Sequence, residues 1–177
     1  MTELMLSVCF MSLLAVYGLS IHTVSLMVLC SCLFCLSLVD LDTQLIPHRF
    51  LIIPAVIRIA ELIYDGGFTA IWLPLLTGLG FGGSILLISL LMDKILKKDT
   101  MGGGDIKLLA LLGLYFTVPQ CFLMLILACI LGIAIAAILM KVKADAAFPF
   151  GPAISLSAWI TLLIGKPLIH WYLSLFL

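Results

Sequence analysis

The sequence predicts an all-α fold, a polytopic helical bundle embedded in a membrane with six or seven transmembrane helices. Of its 177 residues, 64% are hydrophobic and 10% are charged, whereas about 25% of the residues in a soluble domain are charged. The few charges are grouped between apolar stretches that are each about long enough to cross a bilayer as a helix. This pattern excludes a soluble enzyme, a disordered chain and a nucleic-acid-binding protein that uses a basic face.

Breaks in the apolar pattern divide the chain into seven predicted spans. Glycine, proline or grouped charges mark each break, because these residues interrupt or end an apolar helix. In chain order, the breaks lie near Gly18, at 40–49, at Asp65-Gly66-Gly67, at 93–104, at Pro119 and at 141–151. The resulting spans cover about 4–20, 23–39, 50–64, 71–92, 105–117, 120–140 and 152–165. The count falls to six if the first or the fifth span only dips into the membrane.

Basic residues orient the predicted helices. They lie mainly in the loops after the second, fourth and sixth spans: Arg49, Lys94, Lys97, Lys98, Lys141 and Lys143. The positive-inside rule therefore places these loops and the N-terminus in the cytoplasm. We expect no cleaved signal peptide, because the first apolar stretch lacks a basic start. Without a linker or an internal repeat, residues 1–177 are predicted to form a single membrane-embedded domain.

Three carboxylates lie near the predicted ends of spans, where a charge can carry function. Asp40 ends the second span, Asp42 lies two positions later, and Asp105 begins the fifth span. Two complete crossings separate Asp40 from Asp105, so both are expected on the cytoplasmic side. Asp40 and Asp42 would point in different directions from one helix, so both cannot face one partner. We therefore expect Asp40 or Asp42 to meet Asp105.

A close pair of carboxylates can hydrolyse a peptide bond. The two acids share one proton, so one can deprotonate a water molecule while the other polarises the carbonyl group. The six cysteines lie in apolar spans, and no group of His, Cys and Glu has the spacing of metal ligands. We therefore expect neither a metal nor a cofactor. Arg58 and Glu61, three positions apart on one helix, are expected to pair with each other.

Three glycines precede the second acid. Gly102, Gly103 and Gly104 lead directly into Asp105, and Lys107 follows two positions later. Glycine permits a tight turn, a positive φ angle or the close approach of another backbone. We therefore expect this segment to shape the surroundings of Asp105.

Three motifs make the chain similar to a known family. Met101-Gly102-Gly103-Gly104-Asp105-Ile106-Lys107 resembles the G-x-G-D-x-K signature of type IV prepilin peptidases, and G-x-G-D alone also occurs in presenilin-like proteases. Asp40 precedes Pro47 by seven residues, as in the other Asp motif of the prepilin peptidases. Pro149-Phe150-Gly151-Pro152 is similar to the P-F-G-P of the family's last helix. The motifs follow the family's order within about residues 36–165, and the spacing favours Asp40 over Asp42.

The resemblance implies an aspartic endopeptidase of the membrane. Asp40 and Asp105 would be the catalytic pair, with Gly102, Gly103, Gly104, Lys107 and Pro47 supporting the substrate or the loops. The substrates would be type IV prepilins or type II secretion pseudopilins, cut after a short basic leader. The enzyme would lie in the bacterial cytoplasmic (inner) membrane, surrounded by lipid, with its active site facing the cytoplasm. No nucleic acid is expected among its partners.

The sequence departs from the family at several positions. It shows no N-terminal insert with two C-x-x-C pairs, the feature linked to N-methylation, so the chain resembles a short form of the family and methyltransferase activity is not predicted. His48 replaces a common Asp or Asn, and Phe50-Leu51 replaces a common Leu-Thr. Two other functions stay open at this stage, a small ion- or proton-coupled transporter and an inactive scaffold of a pilus or secretion machine. The pilin that is cut and the oligomeric state do not follow from the sequence.

Overall fold

A computed structural model describes residues 2–44, 46–98, 101–142 and 150–175. Over these ranges the chain forms seven α-helices and one short 3₁₀ helix, with no strand, which confirms the predicted all-α class. The helices are α1 (Thr2–Tyr17), α2 (Ile21–Thr43), α3 (Arg49–Gly66), α4 (Trp72–Leu96), α5 (Gly103–Leu112), α6 (Val118–Val142) and α7 (Gly151–Ser174). The 3₁₀ helix (Phe68–Ile71) precedes α4. Two residues used in the sequence analysis, Lys143 and Pro149, lie outside the described ranges.

Each predicted span corresponds to one helix, and the largest difference is at the C-terminal end. The span predicted at about 152–165 continues as α7 to Ser174, with Lys166 and Pro167 inside the helix. In the structure the Lys166 ammonium lies 5.3 Å from the centre of the Tyr17 ring on α1, a cation–π contact that gives the charge a partner within the bundle.

Among the described residues, four helices are long and apolar enough to cross a membrane. They are α2, α4 together with the 3₁₀ helix before it, α6 and α7. Helix α5 has 10 residues, about 15 Å, which is half of the hydrocarbon thickness. The fifth predicted span therefore crosses only part of the membrane. The alternative count of six spans allowed for this case.

Helix α7 lies at the centre of the bundle and packs against α6, α2, α1 and α5. The core between these helices consists mainly of leucine, and its fully buried members include Leu29, Leu36, Leu108, Leu112, Met124 and Ile154. Helix α4 packs mainly against α5 and contributes Phe81 to this core. Gly82 lies so close to Ala110 that a Cβ at Gly82 would be 2.4 Å from the Cβ of Ala110, and small residues allow such close helix packing in membranes.

A buried polar cluster connects α2, α3 and the segment after α5 at the end of the bundle opposite Asp40. The predicted pair is present, since Arg58 Nη1 donates to Glu61 Oε1 at 2.7 Å. His22 Nδ1 on α2 contacts the same oxygen at 2.6 Å, which the sequence did not predict. Arg58 also donates from Nε to the carbonyl oxygen of Leu114 at 3.2 Å and lies over the Tyr115 ring. The cluster therefore links α2, α3 and the segment after α5.

Candidate active site

Asp40 occupies the last turn of α2 and is 5% exposed. The helix ends after Thr43 because Gln44 adopts a left-handed conformation with φ of 54° and donates its backbone N–H to the carbonyl oxygen of Asp40. This is a common way for a helix to end. It fixes the backbone of Asp40 from the C-terminal side. Asp42, two positions later, is exposed, so only Asp40 points into the bundle.

The third motif holds the Asp40 side chain. The backbone N–H of Gly151, the first residue of α7, donates to Asp40 Oδ2 at 2.9 Å. A Cβ at position 151 would lie 2.6 Å from that oxygen and 3.1 Å from Asp40 Cγ, so only glycine permits the contact. The positive end of the α7 dipole also favours an anion at this point. The sequence analysis noted Gly151 as part of P-F-G-P but did not include it among the site residues.

Asp105 lies in the first turn of α5, on the same side of the bundle. Its backbone N–H donates to the carbonyl oxygen of Gly102 at 3.0 Å, which starts the helix. The side chain is partly buried, and Asp40 is close enough to act on it electrostatically. The structure therefore brings together the two acids that the sequence selected, from the end of α2 and the start of α5.

The three glycines differ in their surroundings. A Cβ at Gly104 would lie 2.8 Å from the Cβ of Ile46, so glycine is needed where α5 packs against the α2–α3 connection. A Cβ at Gly102 would make an ordinary contact of 3.4 Å with Asp105 Oδ2, and one at Gly103 would meet nothing within 4 Å. Within the described ranges the glycines with positive φ are Gly18 and Gly67. Close approach, and not a positive φ, therefore explains Gly104.

Two further residues of the predicted site are Pro47 and Lys107. Pro47 precedes α3, and its carbonyl oxygen accepts the backbone N–H of Phe50 at 3.2 Å, so it shapes the first turn of that helix. Lys107 is exposed and lies about 200° around α5 from Asp105. With His48 it borders a cavity of about 460 Å³ between α3, α4 and α5. The structure does not bring Lys107 together with the two acids.

The candidate site contains two carboxyl groups and one backbone donor. Among the described residues, no group of three or more His, Cys, Asp or Glu side chains is arranged to hold a metal ion. Asp40 Oδ2 accepts the backbone N–H of Gly151. An acid oriented in this way beside a second acid has the parts needed to position and activate a water molecule.

Comparison with known proteins agrees with the three motifs. The model of the type IV leader peptidase family matches residues 27–137. A prepilin leader peptidase/N-methyltransferase of Pseudomonas putida is 34% identical over 84% of the chain and 52% of its own length. The protein of the same name from Neisseria gonorrhoeae is 29% identical over 97% of the chain and 60% of its own length. The one from Aeromonas hydrophila is 32% identical over 88% of the chain and 54% of its own length.

The chain thus spans between half and three fifths of the length of these relatives. No solved structure matches it. The family match includes both Asp40 and Asp105 and covers more than half of the chain. Together with the relatives, it shows that this chain belongs to the type IV leader peptidase family.

Proposed function

We propose that the chain is an aspartic endopeptidase that removes the basic leader of type IV prepilins or type II secretion pseudopilins. The observation that carries the proposal is the convergence of Asp40, Asp105 and Gly151. Asp40 and Asp105 interact electrostatically from different helices, and the N–H of Gly151 orients Asp40. Buried acids are costly in a membrane protein, so a pair of them points to chemistry and not to packing.

The proposed mechanism uses one proton shared by the two acids. Two carboxylates at short distance cannot both stay ionised, so one of them holds a proton while the other accepts one from water. The activated water attacks the scissile carbonyl carbon, and the protonated acid donates to the carbonyl oxygen. The C–N bond of the resulting tetrahedral intermediate breaks when the amide nitrogen receives the proton that was taken from the water molecule. Mutual coupling prevents an assignment of the proton to Asp40 or Asp105 alone.

The proposal is limited to the peptidase. The relatives named above are prepilin leader peptidase/N-methyltransferases, and all three motifs of this chain surround the two acids. We propose cleavage at the cytoplasmic side of the inner membrane, because the basic loops follow the second, fourth and sixth predicted spans. The site lies at the same end of the bundle as these loops.

Co-expression with a prepilin tests the proposal directly. The wild-type chain should shorten the prepilin, seen as a faster band on a gel, with the new N-terminus directly before the apolar segment. Asp40→Asn and Asp105→Asn should each abolish this shift, because one carboxyl group alone cannot both activate water and protonate the carbonyl oxygen.

Asp42→Asn is the matched control, since Asp42 lies on the same helix end but is exposed. It should retain most of the cleavage, and all three variants should accumulate in the membrane like the wild type. Cleavage by either Asp40→Asn or Asp105→Asn at more than a trace would contradict the two-acid mechanism. A dead Asp42→Asn with an active Asp40→Asn would show that the first acid was assigned wrongly.

A further inference from the structure

An apolar groove runs along the bundle between α1, α2 and α7. Its volume is about 370 Å³. The lining includes Val8 from α1, Leu33 and Ser37 from α2, and Pro152 and Leu156 from α7. Two of its three walls are therefore the helices that carry Asp40 and Gly151.

The groove presents almost only hydrocarbon. Its serines are satisfied from within the protein: Ser37 Oγ donates to the carbonyl oxygen of Leu33 at 2.8 Å, and Ser155 Oγ donates to the same oxygen at 3.3 Å. Among the described residues that line it, none is Lys, Arg or His. A phospholipid phosphate group would therefore find no cation here, whereas an apolar helix needs none.

One end of the groove lies about one helical turn from Asp40. Ser37 lies one helical turn before Asp40, and Pro152 directly follows Gly151, whose N–H holds that acid. Glu3, which directly precedes the lining residue Leu4 on α1, and Asp40, one turn beyond Ser37 on α2, place two acidic side chains near this end. The α1 and α2 walls of the groove are thus acidic at this end, which favours a positively charged peptide segment there.

We propose that this groove binds the apolar segment of the substrate, while the acidic end attracts the basic leader. The inference rests on the proposed function, which supplies a substrate with a basic leader joined to an apolar segment. From Ser37 to Cys30 the groove follows α2 for about 10 Å, which corresponds to roughly seven residues of a helical substrate. The bond between leader and apolar segment then lies at the end of the groove, beside Asp40.

A second cavity of the bundle fits this substrate less well. It lies between α3, α4 and α5 and is bordered by His48 and Lys107. Lys107 would repel a basic leader, and it lies on the side of α5 that faces away from Asp105. The charges of the two cavities therefore favour the groove between α1, α2 and α7 for the substrate.

Photo-crosslinking distinguishes the two cavities. A photoreactive amino acid is placed at Val8 in the groove, at Ile52 in the other cavity, or at Ile126 outside both. The three side chains are equally exposed, 58% each, so exposure alone cannot favour one of them. In the full chain carrying Asp105→Asn, which keeps the substrate uncut, a prepilin should crosslink from Val8 and not from Ile52 or Ile126. Crosslinking from Ile52 instead, or only lipid adducts at Val8, would overturn the inference.

Filling the groove gives a second measurement. The measured quantity is the cleavage rate of a full-length prepilin divided by that of a short peptide that lacks the apolar segment. Val8→Trp should lower this ratio by about tenfold, as expected for a loss of about 1–2 kcal/mol of binding. Ile126→Trp should leave this ratio unchanged. If Val8→Trp slows both substrates equally or neither, the groove is not the binding site and the peptidase remains. If the wild type cuts neither substrate, the proposed function itself fails.

Discussion

The groups that contact the Asp40 carboxyl group determine whether this acid can act together with Asp105. Its carboxyl group is buried, yet it has a fixed donor in Gly151 and a second acid nearby. A buried carboxylate without such a donor would lose several kcal/mol of hydration with no compensation. The glycine at the start of α7 is therefore as specific a requirement of the site as the acids themselves.

Gly151→Ala is expected to disable the proposed peptidase without removing either acid. The added methyl group would lie 2.6 Å from Asp40 Oδ2, so the carboxyl group or the start of α7 must move. A displacement of about 1 Å in a catalytic group can cost on the order of 100-fold in rate. The rate of prepilin cleavage measures the effect.

Gly83→Ala is the control for a glycine replaced within this bundle. A Cβ at Gly83 meets nothing within 4 Å, and alanine favours a helix more than glycine does. This variant should cleave at the wild-type rate. Equal rates for Gly151→Ala and the wild type would show that the contact with Asp40 is not needed for activity.

At the scale of elements, the start of α5 is positioned by the connection between α2 and α3. Gly104 packs against Ile46, so the loop after the first acid directly supports the helix of the second. Gly104→Ala should therefore shift Asp105 and lower the cleavage rate by about 100-fold. Gly102→Ala, whose methyl group makes only an ordinary contact, should lose much less.

A combined variant identifies the contact responsible. Ile46→Gly removes the side-chain atoms that a methyl group at Gly104 would meet, including the Ile46 Cβ at 2.8 Å. If close packing is the reason for the glycine, Ile46→Gly together with Gly104→Ala should be more active than Gly104→Ala alone. No recovery in the double variant would point to a different role for Gly104, such as backbone contact with the substrate.

The polar cluster around Glu61 should matter for stability more than for chemistry. Glu61 is 4% exposed and accepts from Arg58 and His22. Glu61→Leu leaves the Arg58 charge unpaired inside the bundle, and breaking a buried pair in this way costs about 3–5 kcal/mol. Thermal unfolding in detergent should show a clearly lower midpoint. Asp65→Asn, which changes an exposed acid of the same helix, should leave the midpoint unchanged.

Replacing both partners tests whether the loss comes from the unpaired charge. Arg58→Leu with Glu61→Leu removes both charges, and it should recover part of the stability lost in Glu61→Leu. If the double variant is less stable than Glu61→Leu alone, then Arg58 stabilises the bundle mainly through Leu114 and Tyr115.

The helices could be predicted from sequence because charge is so sparse in this chain. A few polar breaks mark the ends of long apolar segments, and each segment became one helix. The acids Asp40 and Asp105 were selected for the same reason. The contacts of Gly151 and Ile46 could not be predicted, because they depend on how helix ends meet in three dimensions. Lys107 was selected from its motif, but helix geometry turns it away from Asp105.

At the scale of the whole molecule, α4 extends beyond the level of the acids. Gly82 packs against Ala110 and Gly78 against Gly113, so α4 and α5 are antiparallel. Counting along both helices, α4 continues past the level of Asp105 by on the order of 10 Å before it reaches Lys94. This part of α4 is apolar and exposed, with Leu87, Leu90 and Leu91 among its outward side chains. It therefore suits contact with lipid, and the acids are recessed relative to its end.

Topology decides whether this recessed pair can meet a leader peptide, because the acids and the basic loops must face the cytoplasm together. Single cysteines on a cysteine-free background test the arrangement. Thr43, at the end of α2, and Lys97, directly after α4, should be shielded from an impermeant reagent outside the cell and should react in inverted vesicles. Gly67, in the turn between α3 and the 3₁₀ helix, should react from outside, since one crossing separates it from either loop. Opposite accessibility of Thr43 and Lys97 would separate Asp40 from Asp105, and no peptidase could then operate with this pair.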